Sequence, residues 1–176
     1  MREYKFDIER IKHMGKKMMI LVDTREKQNT HILNYFQKHH IAYRMEKLDF
    51  GDYSFLLPNE VTGAADLYFH REIVIERKAS LEELSGNLTR ERDRFEKELL
   101  TAKSKGCTIH FMIEDPRGYQ AILEGNYRTE MKPAAYMASL ATFQERYGVH
   151  ISFLDPQYSG YMIYQTFYYH MREALK

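Results

Sequence analysis

Hydrophobic and polar positions alternate along this chain in a way that divides it into strands and helices. Residues 18 to 23, MMILVD, form an apolar run that ends in charge, the pattern of a buried strand delivering polar side chains at its C-terminal end. Residues 30 to 40 have helical spacing, with Ile32, Leu33, Tyr35 and Phe36 as the apolar contacts. The segments AYRMEKLDFGDYSFLLP and DLYFHREIVIERK predict an antiparallel hairpin with a long irregular connection around residues 58 to 64. Ser80 and Glu83 have capping-box spacing. Beyond them Leu81, Leu84, Leu88, Phe95, Leu99 and Ala102 fall at helical intervals, with Gly86 and Asn87 expected to break the run into a short and a long helix. A strand is predicted over residues 108 to 114, a helix over 133 to 147, a strand in VHISFLD, and a C-terminal helix from near Ser159. Gly15, Gly106, Gly125, Gly148 and Gly160 read as turn or helix-end residues. Strands alternating with helices after a hairpin predict an α/β layered domain with a mixed sheet.

A length of 176 residues with 44% hydrophobic content suits one domain with a continuous core. No run approaches the roughly 18 to 20 apolar residues of a membrane helix, and the N-terminus lacks the apolar centre of a signal peptide. The expected setting is therefore intracellular, cytoplasmic or nucleoid-associated, without a membrane partner. The single cysteine, Cys107, excludes a disulfide framework and a multi-cysteine zinc site and reads as an inert core residue. A net charge of +1 excludes coating of nucleic acid by bulk charge, so any DNA contact must use local patches. Residues 1 to 17 form a basic N-terminal extension, and Arg90, Arg92 and Arg94 form a second cluster diluted by neighbouring acids. Both also fit an ordinary solvated surface. The eight histidines show no metal-hydrolase spacing, and no glycine pattern resembles a phosphate loop. Most of the 14 tyrosines and 10 phenylalanines read as core, and Tyr53, beside Asp52, is the first candidate for stacking on an unpaired base.

The chemistry concentrates where apolar runs end. In IVIERK, residues 73 to 78, strand alternation puts Glu76 and Lys78 on one face and Arg77 on the other. Alone, this is also what a surface ion pair looks like, and such a pair is worth little. Asp23, in LVDTRE, ends the first strand, and Asp52 sits in the tight GDY step. If these strands are neighbours, Asp23, Asp52 and Glu76 converge, and each close pair of carboxylates costs on the order of 4 kcal/mol at an effective dielectric of 20 unless a cation or proton neutralises it. Oxygen-only ligands suit Mg²⁺ or Mn²⁺. Such an ion supplies a Lewis acid and an acidified water, and Lys78 beside it could orient the water or stabilise charge on the phosphorane.

The order VDTRE at 22 to 26, GDY at 51 to 53 and ERK at 76 to 78 resembles the nuclease domain of the XPF family of structure-specific endonucleases, within the PD-(D/E)xK superfamily, whose signature is G-D-x(n)-E-R-K-x-x-x-D. The resemblance extends through RFEKELLTAKSKG and TIHFMIE to about residue 154. It implies a three-layer, restriction-endonuclease-like α/β fold with a mixed central sheet flanked by helices. It also implies a divalent-metal-dependent endonuclease acting on branched or junction-containing DNA. Asp52 and Glu76 would ligate the metal with the Arg77 carbonyl as a further ligand. Asp23, itself a candidate ligand, and Arg25 would shape the site, Arg77 would anchor the local structure or the DNA, Lys78 would be catalytic, and Arg94 falls where the family tends to carry a DNA-facing arginine. Glu82 stands in place of the signature's last aspartate, as a substitute ligand or as a helix-N-terminal charge. No helix-hairpin-helix module is expected within residues 1 to 176, which read as a single nuclease domain. The alternative is a catalytically silent nuclease fold serving as a DNA-binding or scaffold subunit.

In the C-terminal helix, YMIYQTFYYHM is apolar or aromatic at nearly every position. Tyr161, Tyr164, Tyr168, Met171 and Leu175 make one face, which leaves Met162, Ile163 and Phe167 off it. An exposed aromatic patch usually marks an interface, so a homodimer through this helix is expected, with burial of both faces inside one chain as the alternative.

Overall fold

Apolar strands with no polar face need cover on both sides, and the chain supplies it with helices. The computed structural model describes residues 6–176, so Arg2 and Lys5 of the expected N-terminal extension lie outside the described residues. Seven strands among them form one mixed sheet: β1 (Met19–Val22), β2 (Ala42–Met45), β3 (Tyr53–Leu57), β4 (Leu67–Tyr68), β5 (Ile73–Lys78), β6 (Thr108–Ile113) and β7 (His150–Phe153). The order is β2-β1-β3-β5-β6-β7, with β4 paired to β3. One face is covered by α1 (Ile8–Lys16), α2 (Thr30–Lys38) and α8 (Ser159–Leu175), where Ile11, Ile32, Phe36, Ile163 and Phe167 pack on Ile20, Phe55, Ile73 and Ile75. The other is covered by α4 (Leu81–Leu88), α5 (Arg92–Ser104), α6 (Gly118–Glu124) and α7 (Pro133–Tyr147), where Leu84, Phe95, Leu99 and Phe143 pack on Val74, Ile109, Phe111 and Ile113. This is the expected three-layer α/β architecture.

The expected hairpin is only partly formed. β3 does run antiparallel to β5, with Tyr53 opposite Ile75, but β2 leaves the segment and pairs in parallel with β1 from Met19↔Ala42 to Val22↔Met45. The reason is α2: a helical crossover returns the chain to the end of the sheet from which it left. Nor is the connection simply irregular, because it holds α3 (Asn59–Thr62) and β4. Much of the N-terminal extension is α1, capped by the Asp7 carboxylate, which accepts the Arg10 N–H at 2.8 Å. α6 was not anticipated, and α4 runs through Gly86 and Asn87 to Leu88. Gly15 and Gly160 lie inside helices, where close packing requires them: a Cβ on Gly160 would sit 2.6 Å from the Tyr35 ring.

The argument for a dimer through α8 is corrected. Ile163, Phe167, Met171 and Leu175 are fully or almost fully buried against the sheet, and Tyr164 and Tyr168 pack towards α1 and α2. α8 is wedged inside one chain, so Ile163 and Phe167 offer no surface, and the aromatic rings it leaves exposed are Tyr161 and Tyr169. No helix among the described residues is long and apolar enough to cross a membrane. Cys107 is buried, and its thiol is pushed up to about 12 by burial, as an inert core residue should be.

Two predictions follow from this packing. Phe167→Ala removes a core ring and should lower stability by roughly 3–5 kcal/mol in urea denaturation, whereas Tyr161→Ser, on the exposed side of α8, should change it by less than about 0.5 kcal/mol. His110 is pushed down to about 4, first by burial and then by the neighbouring His150 and His170. Because the unfolded chain takes up that proton more readily, stability is full above pH 6.5 and is lost as pH falls towards 4, by up to about 3 kcal/mol. His110→Gln should flatten the urea midpoint between pH 7 and pH 5; an unchanged slope would assign it to other groups.

Candidate active site

Three strand ends meet where the acidic residues were expected. Gly51 adopts φ 73°, and a Cβ there would lie 2.7 Å from Cβ of Val74, so only glycine lets the chain pass β5 this closely. The next residue, Asp52, bridges the strands through its backbone: its N–H donates to the Ile75 carbonyl and its carbonyl accepts from the Asp23 N–H, both at 2.8 Å. Its carboxylate accepts the Arg77 N–H at 2.8 Å. Burial, and then the charge of Glu76, push the Asp52 carboxyl well above the usual carboxylate range, against the pull of that N–H.

On β5, alternation places Glu76 and Lys78 on the α4–α5 side, where Lys78 Nζ donates to Glu76 Oε1 at 2.7 Å and lies 5.3 Å from the Phe95 ring centre. Burial works against the Lys78 charge, but Glu76 outweighs it and holds the ammonium above its ordinary value. Arg77 faces the opposite side. Its guanidinium, 4% exposed, donates to Glu26 at 3.1 Å, to Glu114 at 2.7 Å and to the Gln28 carbonyl at 2.8 Å. His31 Nε2 lies 2.7 Å from the other Glu114 oxygen, which also accepts from the Ser159 hydroxyl at 2.6 Å. Burial opposes the Arg77 charge, yet these carboxylates, Glu26 foremost, raise its pKa further.

Other candidates have different surroundings. Asp23 is buried, and both its oxygens are occupied: they accept the Arg25 N–H at 2.8 Å, Arg25 Nε at 2.7 Å, Arg25 Nη2 at 3.0 Å and the Leu48 N–H at 2.7 Å. Burial would raise its carboxyl, but Arg25 and these N–H groups hold it below the usual range. In this arrangement the Asp23 carboxylate is spent on fixing the turn and Arg25. Glu82 turns away to accept the Arg128 N–H at 2.8 Å, the main cause of its lowered pKa. Glu83 instead lies 3.9 Å from Lys78 Nζ while accepting the Ala79 N–H at 2.8 Å. Tyr53 is fully buried and its hydroxyl accepts from Asn29 at 3.1 Å, so its ring cannot stack on a base. Arg94 is exposed on α5 and paired with Glu91 at 2.7 Å.

Glu26, Glu114 and His31 were given no role from the sequence, and Glu83 only that of a capping-box partner. Glu114 had a usable signal, since it follows an apolar strand as Glu76 does. Glu26 and His31 carried none, because meeting Arg77 and Glu114 depends on the loop after the first strand and α2 being brought to the ends of β5 and β6.

Among the described residues, no three His, Cys, Asp or Glu side chains converge as a ready cage for a metal ion. The donors present at the ends of β3 and β5 are nevertheless oxygens only, the Asp52 and Glu76 carboxylates and the Arg77 carbonyl, and this set fits a hard divalent cation that keeps several waters. The half-buried Asp52 carboxylate beside the Glu76 charge is the repulsion that such a cation would relieve.

The family model for the ERCC4 domain matches residues 22–166. No curated relative matches the chain. Its fold is similar to that of XPF from Aeropyrum pernix, with a TM-score of 0.63 at 18% identity over 90% of this chain and 64% of that one. It is also similar to the same protein in complex with DNA, with a TM-score of 0.61 at 18% identity over 89% of this chain and 66% of that one. With the family model covering both the GDY and ERK segments and the rest of the sheet beyond them, the chain belongs to the ERCC4 domain family and carries an XPF-family nuclease domain.

Proposed function

We propose that this domain is a divalent-metal-dependent DNA endonuclease that hydrolyses a phosphodiester in branched or junction-containing DNA. The observation that carries the reading is the Glu76–Lys78 pair at 2.7 Å on one face of β5, beside the half-buried Asp52. Asp52, Glu76 and the Arg77 carbonyl would hold Mg²⁺ or Mn²⁺, which supplies a Lewis acid and a more acidic water. Lys78, as an ammonium, donates to the phosphate as charge builds on it. Arg77 acts through its position: its N–H fixes the Asp52 carboxylate while its side chain is held inside the protein. Asp23 keeps Arg25 at the site edge, with 61% of the arginine side chain exposed and able to meet a phosphate.

The reading predicts cleavage of labelled branched DNA with Mg²⁺ or Mn²⁺ and none in EDTA. If the protein binds a panel of branched, single-stranded and duplex DNA yet cuts none with either metal, the domain is a silent scaffold. Asp52→Asn, Glu76→Gln and Lys78→Ala should each slow cleavage by at least ~100-fold. Glu83→Ala should slow it more than Glu82→Ala, since Glu83 is the one beside Lys78; the reverse order would give Glu82 a role in the reaction. Glu114→Ala strips Arg77 of a buried partner and should cost about 3–5 kcal/mol of stability in urea denaturation. A loss below about 1 kcal/mol would mean that Glu26 alone satisfies the guanidinium.

A further inference from the structure

Along α8, away from the carboxylates, the surface carries cationic and aromatic groups with little acid among them. α1 contributes Lys12, His13 and Lys16 at helical spacing, and α8 contributes Gln165, Tyr168 and Tyr169, around an open hollow of about 490 Å³. The acid of this hollow, Glu9, is held by Lys12 at 2.7 Å. Lys16 has no carboxylate partner among the described residues. Across Gln165 and Tyr169 lies a second open hollow of about 500 Å³, floored by His110 and His150, whose rings stack at 4.6 Å. Its lining holds no Asp or Glu. Tyr169 stands between the two, 51% exposed, with the Arg172 guanidinium 5.7 Å from its ring centre.

We infer that this double hollow binds single-stranded nucleic acid, with Tyr169 as a stacking platform between two nucleotides and Lys12 and Lys16 on the backbone. Flat rings between cations are what an unpaired strand needs, because every base offers a π-face and every linkage a negative charge. A duplex keeps its base faces stacked and has no use for an upstanding tyrosine. A protein partner would need an apolar centre, whereas the aliphatic side chain lining these hollows, Ile73, is itself buried. The groove lies on the sheet face opposite Glu76 and Lys78, near the Ile73 end of β5, about 17 Å along the strand from Lys78. It would therefore hold an unpaired arm away from the scissile linkage, and its occupancy is independent of the metal reading.

The test is fluorescence polarisation of the full chain with a labelled oligothymidylate of about 15 nucleotides in EDTA, so that no cleavage intervenes. Tyr169→Ser should weaken binding roughly 5- to 100-fold, the loss of one stacked base, and Lys16→Glu should weaken it and reduce its salt dependence. Tyr158→Ser, also exposed but outside both hollows, should leave it unchanged. The inference is overturned if both groove variants, folded by circular dichroism, bind like the parent, or if a duplex of equal length binds as tightly. It is likewise overturned if light scattering gives twice the mass of one chain and Tyr169→Ser halves it, since the groove is then a contact between copies. Loss of cleavage with binding retained would count against the nuclease reading and leave this one standing.

Discussion

A guanidinium removed from water between two carboxylates holds this site together. Breaking such a pair by deleting one partner costs several kcal/mol, because the remaining charge is left buried and unpaired. Arg77 meets Glu26 from the turn after β1, Glu114 from the end of β6 and the Gln28 carbonyl before α2, and Glu114 in turn meets Ser159 at the start of α8. Three separate pieces of chain, the loop from β1 to α2, the end of β6 and, through Glu114, the start of α8, are thereby tied to one residue of β5. That residue's N–H also fixes the Asp52 carboxylate, so the geometry around Asp52 depends on charges buried on the far face of β5.

The alternation of β5 divides the labour. Glu76 and Lys78 face α4 and α5 and pair with each other, while Arg77 between them is held by carboxylates on the opposite face. The same division separates the carboxylates. Asp23, with its hydrogen-bonding capacity spent on Arg25 and Leu48, behaves as a scaffold group with a lowered pKa. Asp52, half-buried next to Glu76 and held by a single N–H, is left with a repulsion to be relieved. Two aspartates at neighbouring strand ends thus take opposite roles through their hydrogen bonds, and Gly51 allows the close approach that makes Asp52 part of β5's surroundings.

Much of this was legible in the chain itself. Alternation is a local property of a strand, so the shared face of Glu76 and Lys78 followed from their spacing, as did the strand at 108–113 and the helix at 133–147 from their periodicity. The sequence by itself also determined that oxygen donors, rather than histidine or cysteine, would gather at the strand ends. What it could not decide was which carboxylate pairs with which cation. Glu26 has nothing in its local pattern to distinguish it from a solvated acid, the spacing of Glu83 marks only a helix cap, and the place of Glu114 after an apolar strand names no partner; only the folded chain brings them to Arg77 and Lys78. In the aromatic C-terminal helix, Ile163 and Phe167 read as exposed until the sheet is seen to cover them. Tyr53 likewise looked available beside Asp52, but alternation from an already buried strand turns its ring into the core. Tertiary structure decided these cases because burial and charge pairing are set by segments far apart in sequence, whereas periodicity and turn chemistry are set by neighbours.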